Sequence, residues 1–241
     1  MLSKLAKSVS DLGLKDVARI LFRHHVRAPL FHQTHIFDTA LSHEVIEYFD
    51  GYQLQNADSS AGFLGFGLVH YALIANNRPK RILCIGSKKG FVPAMCAMAC
   101  RDMGVGHVDF VDAGYSESDG KRQWGGIGLW RSQKPEHHFS FLGLTPYITT
   151  YVMTTQEFFR TNRPKYQYIY IDGDHTYNGV KNDYLAAWKH LDKHGIISFH
   201  DTKVKRMSGQ PAYGVWKLWK ELSGNKIVFD VAGGLGIIQK T

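Results

Sequence analysis

Acidic and histidine side chains directly follow two short apolar runs, YIYI and IISF, in the C-terminal half of the chain. They are Asp172, His175, His200 and Asp201. Carboxylates such as Asp172 and Asp201 can hold a divalent cation, which orients a bound hydroxyl group and lowers its pKa. A histidine has an ordinary pKa of about 6.5 and can accept a proton near neutral pH. These residue types predict a site that can take up a proton, with His175 as a candidate base.

The two runs must be neighbouring strands for these side chains to meet. Between them, apolar residues recur at helical spacing from Val180 to Leu191, and Gly195 is expected to end this helix. A strand–helix–strand unit of this length predicts two parallel strands joined by a right-handed crossover. Asp172 and Asp201 are therefore expected at the same carboxyl edge of a sheet, where ligands bind in open α/β folds.

Each of these side chains also has a purely structural interpretation. Asp174 is suited to cap the helix that follows it. His175 could bond to the backbone of the first helical turn, and His200 with Asp201 could simply form the turn after a strand. Both interpretations stay open at this point.

A glycine turn marks a second candidate site nearer the N-terminus. The apolar run RILCI ends at Gly86, and Gly90 follows four residues later. The next apolar run, over residues 107–111, ends at Asp112. The turn lacks the middle glycine of G-x-G-x-x-G and the spacing of a phosphate loop, which disfavours dinucleotides and nucleoside triphosphates. It predicts a ligand that carries an adenosine ribose without phosphates, with Asp112 accepting from the ribose hydroxyls.

The pattern of apolar runs predicts the fold class. Seven strand-like runs alternate with helical patterns, which is typical of a doubly wound α/β fold with a mostly parallel seven-stranded sheet. The last two runs, residues 226–231 and 235–239, are joined by Ala232-Gly233-Gly234. This closing turn predicts an antiparallel terminal hairpin.

Two segments decorate the predicted domain, which we place at residues 60–241. Residues 1–59 are expected to form an N-terminal helical extension, because residues 1–27 carry an amphipathic, basic helical pattern. This helix could pack on the domain, on a second copy of the chain or on a membrane surface. Residues 113–146 are rich in Gly, Ser and aromatic residues, and a segment of this length predicts a substrate-facing lid.

Composition and net charge indicate the cellular compartment of the protein and the kind of partner it binds. The chain has 241 residues, three cysteines and a net charge of +8. Three cysteines do not suggest a disulfide framework, and no stretch has the length of a membrane span, so we expect a cytoplasmic protein. The positive charge favours acidic partners. Nucleic acid is disfavoured because the chain has no stripe of alternating aromatic and basic residues.

The order of these motifs resembles one known family. A helix, RILCIGSKKG, VDFVDAGY, YIYIDGDHTYNGVKNDY, HGIISFHDT and a terminal hairpin are similar to the class I S-adenosylmethionine-dependent methyltransferases. DGDHTYNGVKNDY followed by GIISFHDT resembles the branch that includes macrocin-type sugar O-methyltransferases and cephalosporin hydroxylase-like proteins. The resemblance covers residues 60–241. It implies S-adenosylmethionine as cofactor and a small hydroxyl-rich or glycosylated acceptor.

The resemblance also implies roles for individual residues around the cofactor. Gly86 and Gly90, with Ser87 between them, match the first methyltransferase motif beside the methionine part of the cofactor. Asp112 matches the acid that binds the cofactor ribose, and Gln156 lies where family members contact the adenine.

A further set of implied roles concerns the reaction. Asp172 matches an acid of the cofactor site that is also a magnesium ligand in macrocin-type enzymes, and Asp201 matches a second ligand. His200 stands in place of a glutamate ligand, which weakens the expectation of Mg²⁺, because this ion prefers oxygen ligands. The site could hold Mg²⁺ or a softer divalent ion, bind a metal loosely, or work without one. His175 matches a proposed general base.

We therefore expect O-methylation of a sugar or another small hydroxyl-rich molecule, by a protein that could form a homo-oligomer through its N-terminal helix. Three alternatives remain at this stage. They are a non-catalytic binding protein on the same scaffold, an NAD-dependent oxidoreductase and a nucleic-acid methyltransferase.

Overall fold

The structure of the protein, a computed structural model, describes residues 39–51, 53–116, 119, 128–161 and 163–241. The helix expected over residues 1–27 lies outside these ranges.

Strands and helices alternate along the described chain. The strands are β1 (Arg81–Ile85), β2 (His107–Asp112), β3 (Ile148–Val152), β4 (Tyr166–Ile171), β5 (Leu191–His200), β6 (Asn225–Phe229) and β7 (Leu235–Gln239). The helices are α1 (Thr39–Phe49), α2 (Phe66–Asn77), α3 (Phe91–Met103), α4 (Leu129–Ser132), α5 (Pro135–His138), α6 (Thr155–Arg160), α7 (Tyr177–His190) and α8 (Val215–Glu221). All seven expected strands are present, and β1 and β7 have the expected bounds.

The strands form one seven-stranded sheet in the order β3-β2-β1-β4-β5-β7-β6. The first five strands of this order are parallel. Strand β7 is antiparallel to both β5 and β6, so it alone is reversed. The expectation of a mostly parallel α/β sheet with an antiparallel terminal hairpin is confirmed.

Helices cover both faces of the sheet, which explains why its central strands show no polar alternation. Ile82 and Cys84 of β1 pack with α3 in one core cluster, whereas Leu83 and Ile85 pack with α7 and α8 in another. All four side chains are buried. Cys84, Cys96 and Cys100 are buried free thiols.

Three tyrosines of β4 are fully buried, and each hydroxyl has a partner. Tyr166 donates to Asp109 Oδ2 (2.7 Å), and Tyr168 lies 2.9 Å from Ser198 Oγ and 2.6 Å from His70 Nδ1. Tyr170 donates to Asp172 Oδ2 at 2.8 Å. Because a buried hydroxyl without a partner costs about 1–3 kcal/mol, these bonds allow aromatic rings in the central strand.

The expected helix end at Gly195 is wrong. Helix α7 ends at His190, and Leu191 already pairs with Tyr166 in the sheet. The chain then bulges, and regular pairing resumes at Ile196. The residue with left-handed backbone in this bulge is His194 (φ 63°), one position before the glycine.

The two decorating segments pack partly into the core. Trp130, Phe139 and Leu144, from the expected lid, are buried beside α3, and so are Val45, Ile46 and Phe49 of α1. Residues 117, 118 and 120–127 of the expected lid lie outside the described chain. The lid and the boundary at residue 60 stay predictions. Among the described residues, no helix is long and apolar enough to cross a membrane.

Candidate functional site

The carboxyl ends of four neighbouring strands lie level with one another, because of the register in which the strands pair. Ile85 of β1 pairs with Val111 of β2 and with Ile171 of β4, and Ile171 pairs with Phe199 of β5. The residues that follow these positions therefore stand in one row along the sheet edge. In the order of the strands they are Asp112, Gly86, Asp172 and His200.

A cavity of about 500 Å³ opens at this row. Seven of the nine residues expected at the site line it: Gly86, Ser87, Asp112, Gln156, Asp172, His175 and Asp201. Gly90 and His200 are not among its lining residues. The structure thus brings the glycine turn and the two strand ends into one site.

The two glycines of the turn have different functions. Gly86 has left-handed backbone (φ 70°), and a Cβ there would lie 2.2 Å from the carbonyl oxygen of Asp172, so only glycine fits beside the end of β4. Gly90 begins α3 in left-handed backbone (φ 86°), and its Cβ would lie 2.9 Å from the Phe139 ring. A side chain at this position would therefore meet Phe139, and the contact expected between Gly90 and the cofactor stays a prediction.

Asp112 and Gln156 lie at the ends of β2 and β3. The backbone N–H of Gly114 donates to Asp112 Oδ1 at 2.8 Å, which orients the carboxylate. Burial raises the pKa of Asp112 to about 6, despite that hydrogen bond. Thr154 and Glu157 form a reciprocal capping box at the start of α6, so Gln156 lies in the first turn beside the cavity.

Asp172 is the centre of a buried hydrogen-bond network. Its Oδ2 accepts from Tyr170, and its Oδ1 lies 2.9 Å from His175 Nε2 and 3.0 Å from His200 Nδ1. Burial alone would raise the pKa of Asp172. The charge of His200, with hydrogen bonds from both histidines, instead holds this pKa well below its usual range. Asp172 is therefore ionised at neutral pH.

His200 is a buried cation rather than a ligand with a lone pair. Its Nε2 lies 3.1 Å from the carbonyl oxygen of Leu54, which can only accept. Burial would lower the pKa of His200, but the charges of Asp172 and Asp201 raise it to about 9. Both ring nitrogens therefore donate hydrogen bonds at neutral pH.

His175 lies between two carboxylates at the cavity. Its Nε2 faces Asp172, and its Nδ1 lies 3.3 Å from Asp201 Oδ2. Asp201 has left-handed backbone (φ 58°), which is uncommon outside glycine and often marks a functional site. Burial raises the pKa of Asp201, with the charges of His200 and His175 opposing it.

The expected divalent cation does not fit this arrangement. Asp172 already accepts three hydrogen bonds. The two ring nitrogens of His200 face Asp172 Oδ1 and the carbonyl oxygen of Leu54, and His200 does not line the cavity. Within the described ranges, no group of three or more His, Cys, Asp or Glu residues could hold a metal ion. The expected ligand set of Asp172, His200 and Asp201 is thus not supported. His200 Nδ1 lies 3.0 Å from Asp172 Oδ1 and 3.4 Å from Asp201 Oδ1.

Asp174 is not the N-cap of α7, although its structural interpretation proposed this function. The N-cap is Thr176, whose hydroxyl accepts from the N–H of Gly179 at 3.1 Å. Asp174 accepts from the N–H of Thr176 at 2.8 Å and so shapes the turn before the helix.

Solved methyltransferase structures share this fold. The SAH-bound methyltransferase PaMTH1 of Podospora anserina has a TM-score of 0.55 and 15% identity, covering 82% of this chain and 88% of that chain. TomG, a Streptomyces achromogenes O-methyltransferase involved in tomaymycin synthesis, was solved in complex with SAM. It has a TM-score of 0.55 and 12% identity, covering 84% and 89%. The O-methyltransferase from Bacillus cereus in complex with SAH has a TM-score of 0.55 and 15% identity, covering 84% and 91%.

Sequence matches identify the family. The uncharacterized protein y4gI of Sinorhizobium fredii is 32% identical over 72 residues, which is 29% of this chain but only 8% of that protein's length. A family model described as a methyltransferase domain matches residues 83–202, from β1 to the turn after β5. This chain carries a methyltransferase domain with the class I fold. The expected family is confirmed, and the narrower macrocin-type branch is compatible with these matches and stays a prediction.

The methyltransferase holds its glycine turn from outside, through contacts that the sequence did not reveal. Trp130 Nε1 donates to the carbonyl oxygen of Lys88 at 3.0 Å, and His138 Nε2 donates to that of Lys89 at 2.8 Å. The Lys88 ammonium lies 2.6 Å from Asp50 Oδ2. Lys88 has left-handed backbone (φ 47°), so these contacts fix a turn that a non-glycine residue rarely adopts.

A second set of missed residues comes from the short turn Gln53–Gln55, which precedes the matched region. Leu54 accepts from His200, and Gln55 Nε2 donates to the hydroxyl of Tyr170 at 3.0 Å. The backbone N–H of Gly233 also donates to the Leu54 carbonyl, at 3.3 Å. No local sequence signal marks this turn, because its partners lie more than a hundred positions away in the chain.

Proposed function

We propose that this methyltransferase transfers a methyl group from S-adenosylmethionine to a hydroxyl oxygen of a small acceptor. One observation carries the proposal: a single cavity joins the glycine turn and Asp112 to His175. The glycine turn and Asp112 are suited to bind the adenosyl cofactor, and His175 is suited to accept a proton from a hydroxyl group. Relatives of this fold named as O-methyltransferases support oxygen as the acceptor atom.

The donor and acceptor groups of the cavity fit the cofactor. The carboxylate of Asp112 can accept from both ribose hydroxyls, and its position next to Gly86 in the strand row supports a ribose site beside the glycine turn. Gln156 lies beyond Asp112 in the direction of β3, where an adenine ring attached to that ribose would lie. Structures of the same fold have been solved with SAM and SAH, which supports the assignment.

His175 is the proposed base. When bound, the cofactor supplies a methyl group on a positively charged sulfur, which an acceptor oxygen displaces in line. Ionised Asp172 accepts the proton of His175 Nε2, which leaves the lone pair of the neutral ring on Nδ1. His175 Nδ1 is buried and lies 3.3 Å from Asp201 Oδ2, so the acceptor hydroxyl reaches this nitrogen only when the Asp201 side chain turns aside. The hydroxyl then gives its proton to Nδ1, and the resulting imidazolium stays paired with Asp172. General base catalysis of this kind contributes about 10²–10⁴-fold.

The acceptor is proposed to lie against the segment that follows β5. Met207, Gln210 and Tyr213 line the same cavity, and the Tyr213 ring centroid lies 5.2 Å from that of His175. An aromatic ring, a thioether and an amide suit a ring-shaped acceptor with hydroxyl groups, such as a sugar or a glycosylated metabolite. No step is assigned to a divalent cation.

The test is a methyl-transfer assay on a panel of hydroxyl compounds, each paired with its deoxy analogue. Formation of S-adenosylhomocysteine with a hydroxyl compound, but not with its deoxy partner, is expected. Cofactor binding without transfer to any acceptor of the panel would favour the non-catalytic alternative. Heat protection by NAD but not by S-adenosylmethionine would favour the oxidoreductase. Tight, salt-sensitive RNA binding would favour a nucleic-acid acceptor.

Three expectations from the sequence stay predictions: a cytoplasmic location, a homo-oligomer formed through the N-terminal helix, and contact of that helix with a membrane surface.

A further inference from the structure

Part of the positive charge of the chain lies beside the cavity, and the proposed reaction gives it no function. The net charge is +8, and residues 201–222, which follow β5 and include α8, carry five basic side chains but only two acidic ones. All five basic side chains are exposed. They are Lys203, Lys205, Arg206, Lys217 and Lys220. The same segment supplies the wall against which the acceptor is proposed to lie, so its charge bears on the chemistry of the acceptor.

Lys205 and Arg206 lie at the rim of the cavity. Asp201 lines the cavity before them in the chain, and Met207 and Gln210 line it after them. Met207 is 38% exposed, so the cavity is open to solvent at this point. We call Lys205 and Arg206 the basic rim.

Trp216 of α8 connects the basic side chains to the wall of the cavity. Its Nε1 donates to the carbonyl oxygen of Tyr213 at 2.9 Å, and Tyr213 lines the cavity beside His175. The ammonium groups of Lys205 and Lys220 lie 5.6 and 5.3 Å from the centre of the Trp216 ring. Cation–π attraction to one ring therefore holds two positive charges next to this wall.

Acidic side chains of the protein do not neutralise the basic rim. Lys203 forms a salt bridge with Asp230 at 2.7 Å. Within the described parts of the chain, neither Lys205 nor Arg206 forms a salt bridge. Like charges on adjacent exposed residues repel each other, and an anion bound between them removes this repulsion. The rim is therefore suited to a group that carries more than one negative charge.

A phosphate or diphosphate group matches the basic rim better than a carboxylate does. The guanidinium of an arginine can bind two phosphate oxygens at once, and a lysine ammonium adds a point charge. A phosphate monoester near neutral pH carries about 1.5 to 2 negative charges. A carboxylate carries one and leaves part of the rim unbalanced.

The basic rim thus indicates the class of acceptor. This step rests on the proposed function, which places the acceptor hydroxyl at His175 and its ring against Tyr213. We propose that the acceptor is a phosphorylated sugar, whose phosphate or diphosphate group binds Lys205 and Arg206 while its hydroxyl lies at His175. The phosphate can belong to a soluble nucleotide sugar, to a sugar phosphate or to a lipid-linked sugar, which share this chemistry.

The first experiment measures phosphate binding without methyl transfer. Inorganic pyrophosphate is titrated calorimetrically into full-length wild type and into the double variant Lys205→Glu with Arg206→Glu. The Kd should rise about 10- to 100-fold in the variant, because two bonds between charged groups are lost. Arg81→Glu with Lys193→Glu is the matched control. It changes the net charge equally, at exposed positions near the start of β1 and β5, on the opposite edge of the sheet, and should keep the Kd within about threefold.

The second experiment measures methyl transfer to one sugar in five forms: the free sugar, its uronic acid, its 1-phosphate, its nucleoside diphosphate derivative and its polyprenyl diphosphate in phosphatidylcholine vesicles. In wild type the phosphorylated forms should have a KM at least about tenfold below that of the free sugar. The rim variant should lose this advantage, whereas kcat should stay within about threefold because His175 is unchanged. The phosphorylated form with the lowest KM identifies the source of the phosphate.

The outcomes separate this inference from the proposed function. Methyl transfer with equal KM for the free and phosphorylated forms, or with the lowest KM for the uronic acid, overturns the inference and leaves the proposed function intact. A pyrophosphate Kd that rises equally in the rim variant and in the control pair also overturns the inference. Pyrophosphate binding that only the rim variant loses supports a phosphate site, even if no compound is methylated and the proposed function fails. Binding of an RNA 20-mer far more tightly than any phosphorylated sugar, lost in the rim variant, would assign the rim to nucleic acid and overturn the inference.

Discussion

His200 Nδ1 lies 3.0 Å from Asp172 Oδ1, although the two residues are 28 positions apart in the chain. The contact joins the ends of two parallel strands, β4 and β5. It places a buried cation where the family resemblance implied a metal ligand. Several consequences of this arrangement and of the site around it can be measured.

Replacing His175 should remove the base without removing the cofactor site. His175→Ala is expected to lower kcat by about 10²–10⁴-fold, whereas the Kd for S-adenosylhomocysteine should stay within about threefold. The measurements are turnover with the acceptor found in the panel and calorimetric titration. His107→Ala is the matched control, because His107 contacts Thr149 and does not line the cavity. Turnover within a few-fold of wild type would show that His175 is not the base.

The charge of His200 should make stability depend on pH. Its folded pKa of about 9 lies above the ordinary value of 6.5, so its contribution is fully present below pH 6.5 and is lost as pH rises through 9. His200→Gln removes the cation beside the buried Asp172 carboxylate. It should therefore lower the unfolding free energy by about 3–5 kcal/mol near pH 6. The cost should shrink near pH 10. Urea unfolding of both proteins at the two pH values measures this difference.

His138 provides the control for His200. It too is buried and donates to a backbone carbonyl, but burial lowers its pKa. A lowered histidine pKa destabilises the fold as pH falls, so removing His138 should have the opposite pH dependence. A cost of His200→Gln that did not change between about pH 6 and about pH 10 would contradict a charged His200.

Asp112 should make cofactor binding weaken in mild acid. Its pKa of about 6 means that the carboxylate becomes protonated as pH falls through this value, and a protonated acid accepts more weakly from ribose hydroxyls. The Kd for S-adenosylhomocysteine should therefore rise below about pH 6 in wild type. In Asp112→Asn it should be about tenfold higher near pH 7 and almost independent of pH between 5 and 7, within about twofold. An unchanged wild-type pH profile in the variant would exclude Asp112 as the titrating group.

The hydrogen bond from Trp130 to Lys88 should matter for cofactor affinity. Trp130→Phe keeps an aromatic ring against Phe139 but removes the N–H that holds the glycine turn. The Kd for S-adenosylhomocysteine should rise about 3- to 10-fold, which corresponds to one neutral hydrogen bond. Trp219→Phe, in the core cluster on the other face of the sheet, should leave the Kd unchanged. Equal Kd values for wild type and Trp130→Phe would show that this bond does not support the site.

The sequence was sufficient to predict the sheet because strand signals are local. An unbroken apolar run such as Arg81–Ile85 indicates a strand buried on both faces, and the residue after each run indicates the carboxyl edge. This reasoning placed Asp112, Asp172 and Asp201 at one cavity. It failed at Gly195, because the bulge before regular pairing is set by tertiary packing against β4.

The function of His200 could not be predicted from the sequence because it depends on distant partners. A histidine beside two aspartates suggests a metal ligand when its other contacts are unknown. The carbonyl of Leu54, 146 positions away, changes this interpretation by accepting from the second ring nitrogen. The carbonyls of Lys88 and Lys89 were likewise missed, since sequence patterns report side chains rather than the backbone groups that Trp130 and His138 contact.

The central claim is that this cavity binds an S-adenosyl cofactor without help from a metal. The most direct measurement is calorimetric titration of S-adenosylhomocysteine and S-adenosylmethionine into the full-length protein, with EDTA, with Mg²⁺ and with Mn²⁺. We predict one site per chain with a micromolar Kd that agrees within about twofold under the three conditions. No binding of either ligand would contradict the cofactor assignment, and binding that required Mg²⁺ or Mn²⁺ would contradict the metal-free network around Asp172.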